Sequence, residues 1–114
     1  MRLTTEELPE IDEVTPAEIE QILTDDVFGK FVVLGDDEAF IQAACVWEPG
    51  TECSRFIQET GSDPFCLEYR DGKTGQLFGA EEHVTLEQVK LAFLEYLGGR
   101  MDWLTRFVWA KVEY

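Results

Sequence analysis

Nine consecutive residues, Ala39 to Trp47, contain one clearly polar side chain, Gln42. Gly35-Asp36-Asp37-Glu38 reads as a turn before this run and Pro49-Gly50 as a loop after it. A strand so poor in polar positions is expected to be covered on both faces, as central strands are. Such a strand needs neighbours on both sides, and Gln42 needs a hydrogen-bond partner.

The rest of the chain supplies the neighbours. Phe31-Val32-Val33-Leu34 is short and apolar and is joined closely enough to the central run to form a hairpin. Phe65, Leu67 and Tyr69 alternate with Cys66, Glu68 and Arg70, the period of a strand. Asp71-Gly72-Lys73-Thr74-Gly75 is a turn with two glycines, and Gln76 to Ala80 returns from it. Phe107 to Glu113 is a final strand with Phe107 and Trp109 on one face.

Two helices are expected. Thr15, Pro16 and Glu18 form a capping box with proline at the first helical position, opening a helix over 16–24. Thr85-Leu86-Glu87-Gln88 is a second capping box, Leu86, Val89, Phe93, Tyr96 and Leu97 mark an apolar face, and Gly98-Gly99 stops the helix. Residues 48–63 are irregular, with 54–58 a short turn or strand, and 102–104 a short turn. The reading is one α+β domain over 1–114: an antiparallel sheet of about five strands, an N-terminal helix, and one main helix packed on a face. Residues 1–14 form a loose acidic arm.

Charge restricts the partners. There are 24 Asp and Glu against 9 Lys and Arg, a formal net charge of −15. Residues 4–29 carry nine acids and no base. Such a chain is repelled by nucleic acid and by anionic lipid, and attracts basic partners. Acidity that serves only solubility accounts for the composition equally well. No apolar run approaches the roughly 18 residues of a membrane span. The first 13 residues hold five acids and no apolar core of a signal peptide, so a cytoplasmic location is expected.

Catalytic and metal-binding patterns are sparse. Cys45, Cys53 and Cys66 are odd in number and lack a Cys-x-x-Cys spacing, which suits reduced, buried thiols without zinc. His83 stands between Glu81-Glu82 and a helix cap, and nothing in the spacing joins it to a cysteine or to Ser54 as a nucleophile. Asp36-Asp37-Glu38 and Glu81-Glu82 are carboxylate pairs without the alternating ligands of a calcium loop. Both phosphate-binding glycine patterns are missing. Trp47 and Trp109 suit a core; Trp103, beside Asp102 in a short connection, suits an interface. Glu68 and Arg70 face away from Phe65, Leu67 and Tyr69, and can pair with Gln42 or Gln76 on neighbouring strands.

Phe40-Ile41-Gln42, Leu67-Glu68-Tyr69-Arg70-Asp71-Gly72, a capped helix containing Ala92-Phe93-Leu94-Glu95-Tyr96-Leu97, and Phe107-Val108-Trp109 follow one another along the chain. This succession, over roughly residues 30–114, resembles small immunity-type proteins that accompany the polymorphic toxins of bacteria. The resemblance implies an α+β protein, often acidic, that neutralises a cognate toxin domain by tight binding. It carries over no binding residue.

The expected function is that of a non-catalytic protein-binding module, an immunity- or antitoxin-like inhibitor of a basic partner such as a toxin domain. It is expected to act as monomer or homodimer, with no cofactor and no metal. Candidate contacts are Trp103, Asp102, Glu68, Arg70, Asp36 and Asp37. The alternatives are a homodimeric structural or adaptor protein and a small enzyme of unknown reaction; the missing nucleophile, metal cluster and cofactor loop count against the last.

Overall fold

A computed structural model describes residues 1–24, 29–46 and 50–112. The strands are β1 (Arg2–Thr5), β2 (Phe31–Gly35), β3 (Phe40–Cys45), β4 (Phe65–Arg70), β5 (Leu77–Ala80) and β6 (Trp109–Lys111). The helices are α1 (Pro16–Ile22), α2 (Thr51–Thr60), α3 (Leu86–Leu97) and α4 (Asp102–Arg106). The six strands lie in chain order in one open sheet, and each pairs antiparallel with the next. The α+β antiparallel architecture read from the sequence is therefore present, with one strand and two short helices more.

Both capping boxes form. Thr15 Oγ1 accepts from the Glu18 N–H at 3.2 Å while Glu18 Oε1 accepts from the Thr15 N–H at 3.0 Å. Thr85 and Gln88 do the same at 3.2 and 2.8 Å. Each pair satisfies donors that a helix start otherwise leaves open. Gly99 takes the left-handed conformation after α3 (φ 76°), and its N–H donates to the Tyr96 carbonyl.

Paired strand residues point to the same side, so the register sorts the sheet into two faces. Leu3, Val32, Leu34, Ile41, Ala43, Phe65 and Leu67 form the floor of the core. Ile19, Ile22 and Leu23 from α1, Val89, Ala92 and Phe93 from α3, and Trp103 from α4 close over it. Helix α3 packs directly on β3 and β4, and α1 and α4 pack against α3.

Four expectations need correction. The first residues are not a loose arm: Arg2–Thr5 pairs with β2, Leu3 is buried, and Leu3 and Ile11 exchange backbone hydrogen bonds. Residues 51–60 are a helix, closed by Gly61 in the left-handed conformation with its N–H on the Ile57 carbonyl. The central strand β3 is flanked on both sides as expected, but it buries only one face: Ile41 and Ala43 are enclosed, while Phe40, Gln42 and Ala44 are half-buried. Trp103 lies in the core at 3% exposure, not at the surface. Trp47 and Glu113, expected in strands, and Tyr114 fall outside the described residues.

Candidate functional site

Helices α1, α3 and α4 pack on one face of the sheet and do not cover the second face. Its described positions are Arg2 and Thr4, then Phe31, Val33 and Gly35, then Phe40, Gln42 and Ala44, then Cys66, Glu68 and Arg70, then Leu77 and Gly79, then Ala110 and Val112 on the β6 side. None of them is buried, and Phe31 is 38% exposed. The face is apolar along β2 and at both ends of β3, with a polar centre. There Gln42 Nε2 donates to Glu68 Oε1 at 2.9 Å across directly paired positions. That bond satisfies Gln42 and orients the carboxylate. A Cβ at Gly79 would meet the Glu68 side chain at an ordinary 3.7 Å but would come within 3.2 Å of Val112 Cγ2, so the tight neighbour of this glycine is Val112 on the β6 side. Glu68 is the one carboxylate on the described strand positions of this face.

Arg70 ends this face. Its Nη1 donates to the Asp37 carbonyl at 2.6 Å and its Nε to the Gly75 carbonyl at 3.3 Å, tying the β2–β3 turn to the β4–β5 turn. Asp36 builds the first turn from within. Its Oδ1 accepts from the Glu38 and Ala39 N–H groups, each at 2.9 Å, and these two bonds hold its carboxyl below the ordinary value. Asp37 carries a salt bridge from Arg2 at 3.1 Å, and Arg2 also reaches Glu10 at 3.3 Å. Asp36 and Asp37 thus act first as turn formers, with Asp37 fully displayed to solvent.

The six candidate contacts do not form one surface. Glu68 and Arg70 share the open face, and Arg70 brings in Asp37. Asp102 and Trp103 belong to α4 on the other side of the sheet. Asp102 pairs with Arg100. Trp103 donates its indole N–H to the Arg100 carbonyl at 3.0 Å and packs edge-on against Tyr69 and Trp109 with ring centroids 4.9 and 5.9 Å away. An indole so enclosed anchors the domain's own core and is not available to a partner.

Comparison with known protein families, curated proteins and solved structures found no match. His83 is exposed and lines a cleft of about 230 Å³ with Glu81, Glu82, Gln88 and Arg106; no cysteine or serine lines it. Cys45 and Cys66 sit on adjacent strands but on opposite faces of the sheet, and Cys53 lies in α2. Burial pushes the Cys66 thiol up, away from the reactive thiolate. Among the described residues, no three His, Cys, Asp or Glu side chains converge as a metal site. No described helix is long and apolar enough to cross a membrane.

Two groups escaped the sequence reading. The first is the open apolar face itself. Its signal was the near-absence of polar residues in β3, which fits one covered face plus one partner-facing face as well as two covered faces. The second is Glu95, buried at 6% exposure in α3 and paired with Arg106; a glutamate inside an apolar helical stripe is a signal of that kind.

Proposed function

We propose that this protein is a non-catalytic binding module, an immunity- or antitoxin-like inhibitor that covers a basic protein partner in the cytoplasm. One observation carries the reading: a sheet face on which Phe31 is exposed and Val33, Phe40, Ala44 and Leu77 are half-buried around the polar pair Gln42–Glu68, on a chain of net charge −15. Exposed contiguous apolar surface is rare on a monomer and commonly marks an interface. The negative field raises the rate of encounter with a positive surface, and the apolar face holds the complex once formed.

The test is a pull-down with the full chain as bait, followed by association kinetics on any recovered partner. The association rate is expected to fall steeply between low and physiological salt while dissociation changes little. Phe31→Glu and Val33→Glu on the open face should speed dissociation. A salt-insensitive association rate, or dissociation unchanged by both variants, counts against the reading. A sedimentation measurement showing a dimer broken by the same variants would assign the face to a second copy of this chain instead.

A further inference from the structure

An open sheet has two edges, and here they differ. At β1, Leu3 and Ile11 exchange backbone hydrogen bonds at 2.9 and 3.0 Å, and the Val14 N–H donates to the Met1 carbonyl at 3.0 Å. The chain itself covers that edge. At β6 the ladder fixes which groups point outward. The Val108 carbonyl accepts from the Glu81 N–H and the Val112 N–H donates to the Leu77 carbonyl, both at 2.9 Å, and Ala110 faces Gly79 between them. In an antiparallel ladder the intervening residues turn their N–H and C=O groups the other way. Those residues are Trp109 and Lys111, and among the described residues no strand lies beyond them. Val108 is 68% exposed, and Ala110 and Lys111 are exposed as well.

We propose that β6 pairs antiparallel with β6 of a second copy of this chain, about a twofold axis at Ala110, so that one sheet runs across a dimer. The edge is distinct from the open face, and the inference does not rest on the binding of a basic partner.

Self-complementarity argues for a second copy. Outward N–H and C=O groups along a strand edge are a template for another strand. With the axis at Ala110, Trp109 of one copy stands opposite Lys111 of the other, and each such pair exchanges both backbone bonds. Ala110 meets Ala110 where the two backbones come closest, and a methyl group fits there. Val108 meets Val112 on one face of the sheet, which covers the exposed Val108 side chain. On the other face Lys111 meets an indole, not a like charge. Moving the axis to Lys111 would set two ammonium groups directly opposite, so the lysine selects the register. The strand residues Trp109–Lys111 carry one base and no acid, so the repulsion between two chains of net charge −15 comes from the rest of the molecule. Because Ile11 and Val14 cover β1, the sheet ends at two copies. Strands of 3 residues bury less than a standard interface, so the dimer is weak.

The experiment is sedimentation equilibrium of the full chain up to about 1 mM, at about 0.05 M and about 0.5 M salt. Salt screens the net repulsion, so the expected result is a dimer with a Kd of about 1 mM or tighter at the higher salt and at least about threefold weaker at the lower. Association with a basic partner responds to salt in the opposite sense, so the two readings fail separately. Lys111→Pro removes an outward N–H and no hydrogen bond to β5, a position where edge strands accept proline. It should weaken the dimer by about tenfold or more with the chain still folded. Phe31→Glu on the open face should leave the dimer intact. Amide hydrogen exchange read by NMR needs no variant: the Ala110 amide should be protected at every concentration, and the Trp109 and Lys111 amides only as the dimer forms. If Lys111→Pro fails to fold, the exchange measurement decides. A chain that stays monomeric at about 1 mM in the higher salt would overturn the proposal. So would a dimer that weakens with salt, survives a folded Lys111→Pro, is broken by Phe31→Glu, or forms with the Trp109 and Lys111 amides unprotected.

Discussion

Glu95 of α3 and Arg106 of α4 form a two-armed ion pair at the edge of the core, with the Glu95 side chain 6% and the Arg106 side chain 32% exposed. The hydrogen bonds to Glu95 hold the Arg106 guanidinium above its ordinary value, against the opposing effect of burial. The pair joins the short helix α4 to the main helix, and so holds Trp103 in place. Removing one partner of such a pair is costly because the other charge stays buried. Arg106→Ala is expected to lower stability by about 2–3 kcal/mol, reduced from the fully buried case by the solvent that reaches Arg106. The double variant Glu95→Leu, Arg106→Ala should recover part of that loss. Urea denaturation of the two variants checks both values.

Phe93 is fully enclosed at 0% exposure, at the centre of the α3 face that meets β3 and β4. Phe93→Ala should cost about 3–5 kcal/mol, much of the stability of a small domain. An unchanged denaturation midpoint would mean that the helix turns another face to the sheet.

Asp36 predicts an acid-limb effect. Its folded carboxyl lies below the ordinary 3.8 because two backbone N–H groups bind the charged form. A depressed folded value means that the unfolded state binds the proton first as pH falls. The contribution is therefore present above the unfolded value and is lost as pH drops through the folded one. Asp36→Ala should flatten the fall in melting temperature below about pH 4 and leave its slope near neutrality unchanged. A thermal-melt series in pH reads this directly.

The thiols are the third chemical handle. All three cysteines are expected to titrate under denaturing conditions, with no stoichiometric zinc in the native protein. In the folded protein Cys66 should react more slowly than an unhindered thiol, because burial is the chief cause that raises it. Thiol counting with a chromogenic disulfide, alongside elemental analysis, tests each part.

Local chemistry was legible in the sequence wherever neighbouring residues settle it among themselves. Thr15 with Glu18 and Thr85 with Gln88 close their boxes within four residues, so both helix starts were readable. The alternation of Phe65, Leu67 and Tyr69 with Cys66, Glu68 and Arg70 set β4, and the Gln42–Glu68 pair follows once β3 and β4 are neighbours. Two elements were missed for want of length or contrast. In Arg2–Thr5 only Leu3 is strongly apolar, and the strand exists because β2 offers it an edge. Cys53, Phe56 and Ile57 in α2 do recur at helical spacing, and all three are half-buried, but glycines at both ends made the segment read as loop.

Tertiary structure alone decided the rest. Trp103 is buried because α4 folds back on α3 and supplies the Arg100 carbonyl to its indole, a partner that no sequence spacing names. Which side of β3 stays open depended on all the well-packed helices choosing the same face. The tie between the β2–β3 and β4–β5 turns likewise arises only in the folded chain, since Arg70 reaches the Asp37 carbonyl across 33 positions. Periodicity and caps are short-range and survive in one dimension. Partner choice for a side chain is long-range, and it is settled by which surfaces the packed core leaves uncovered.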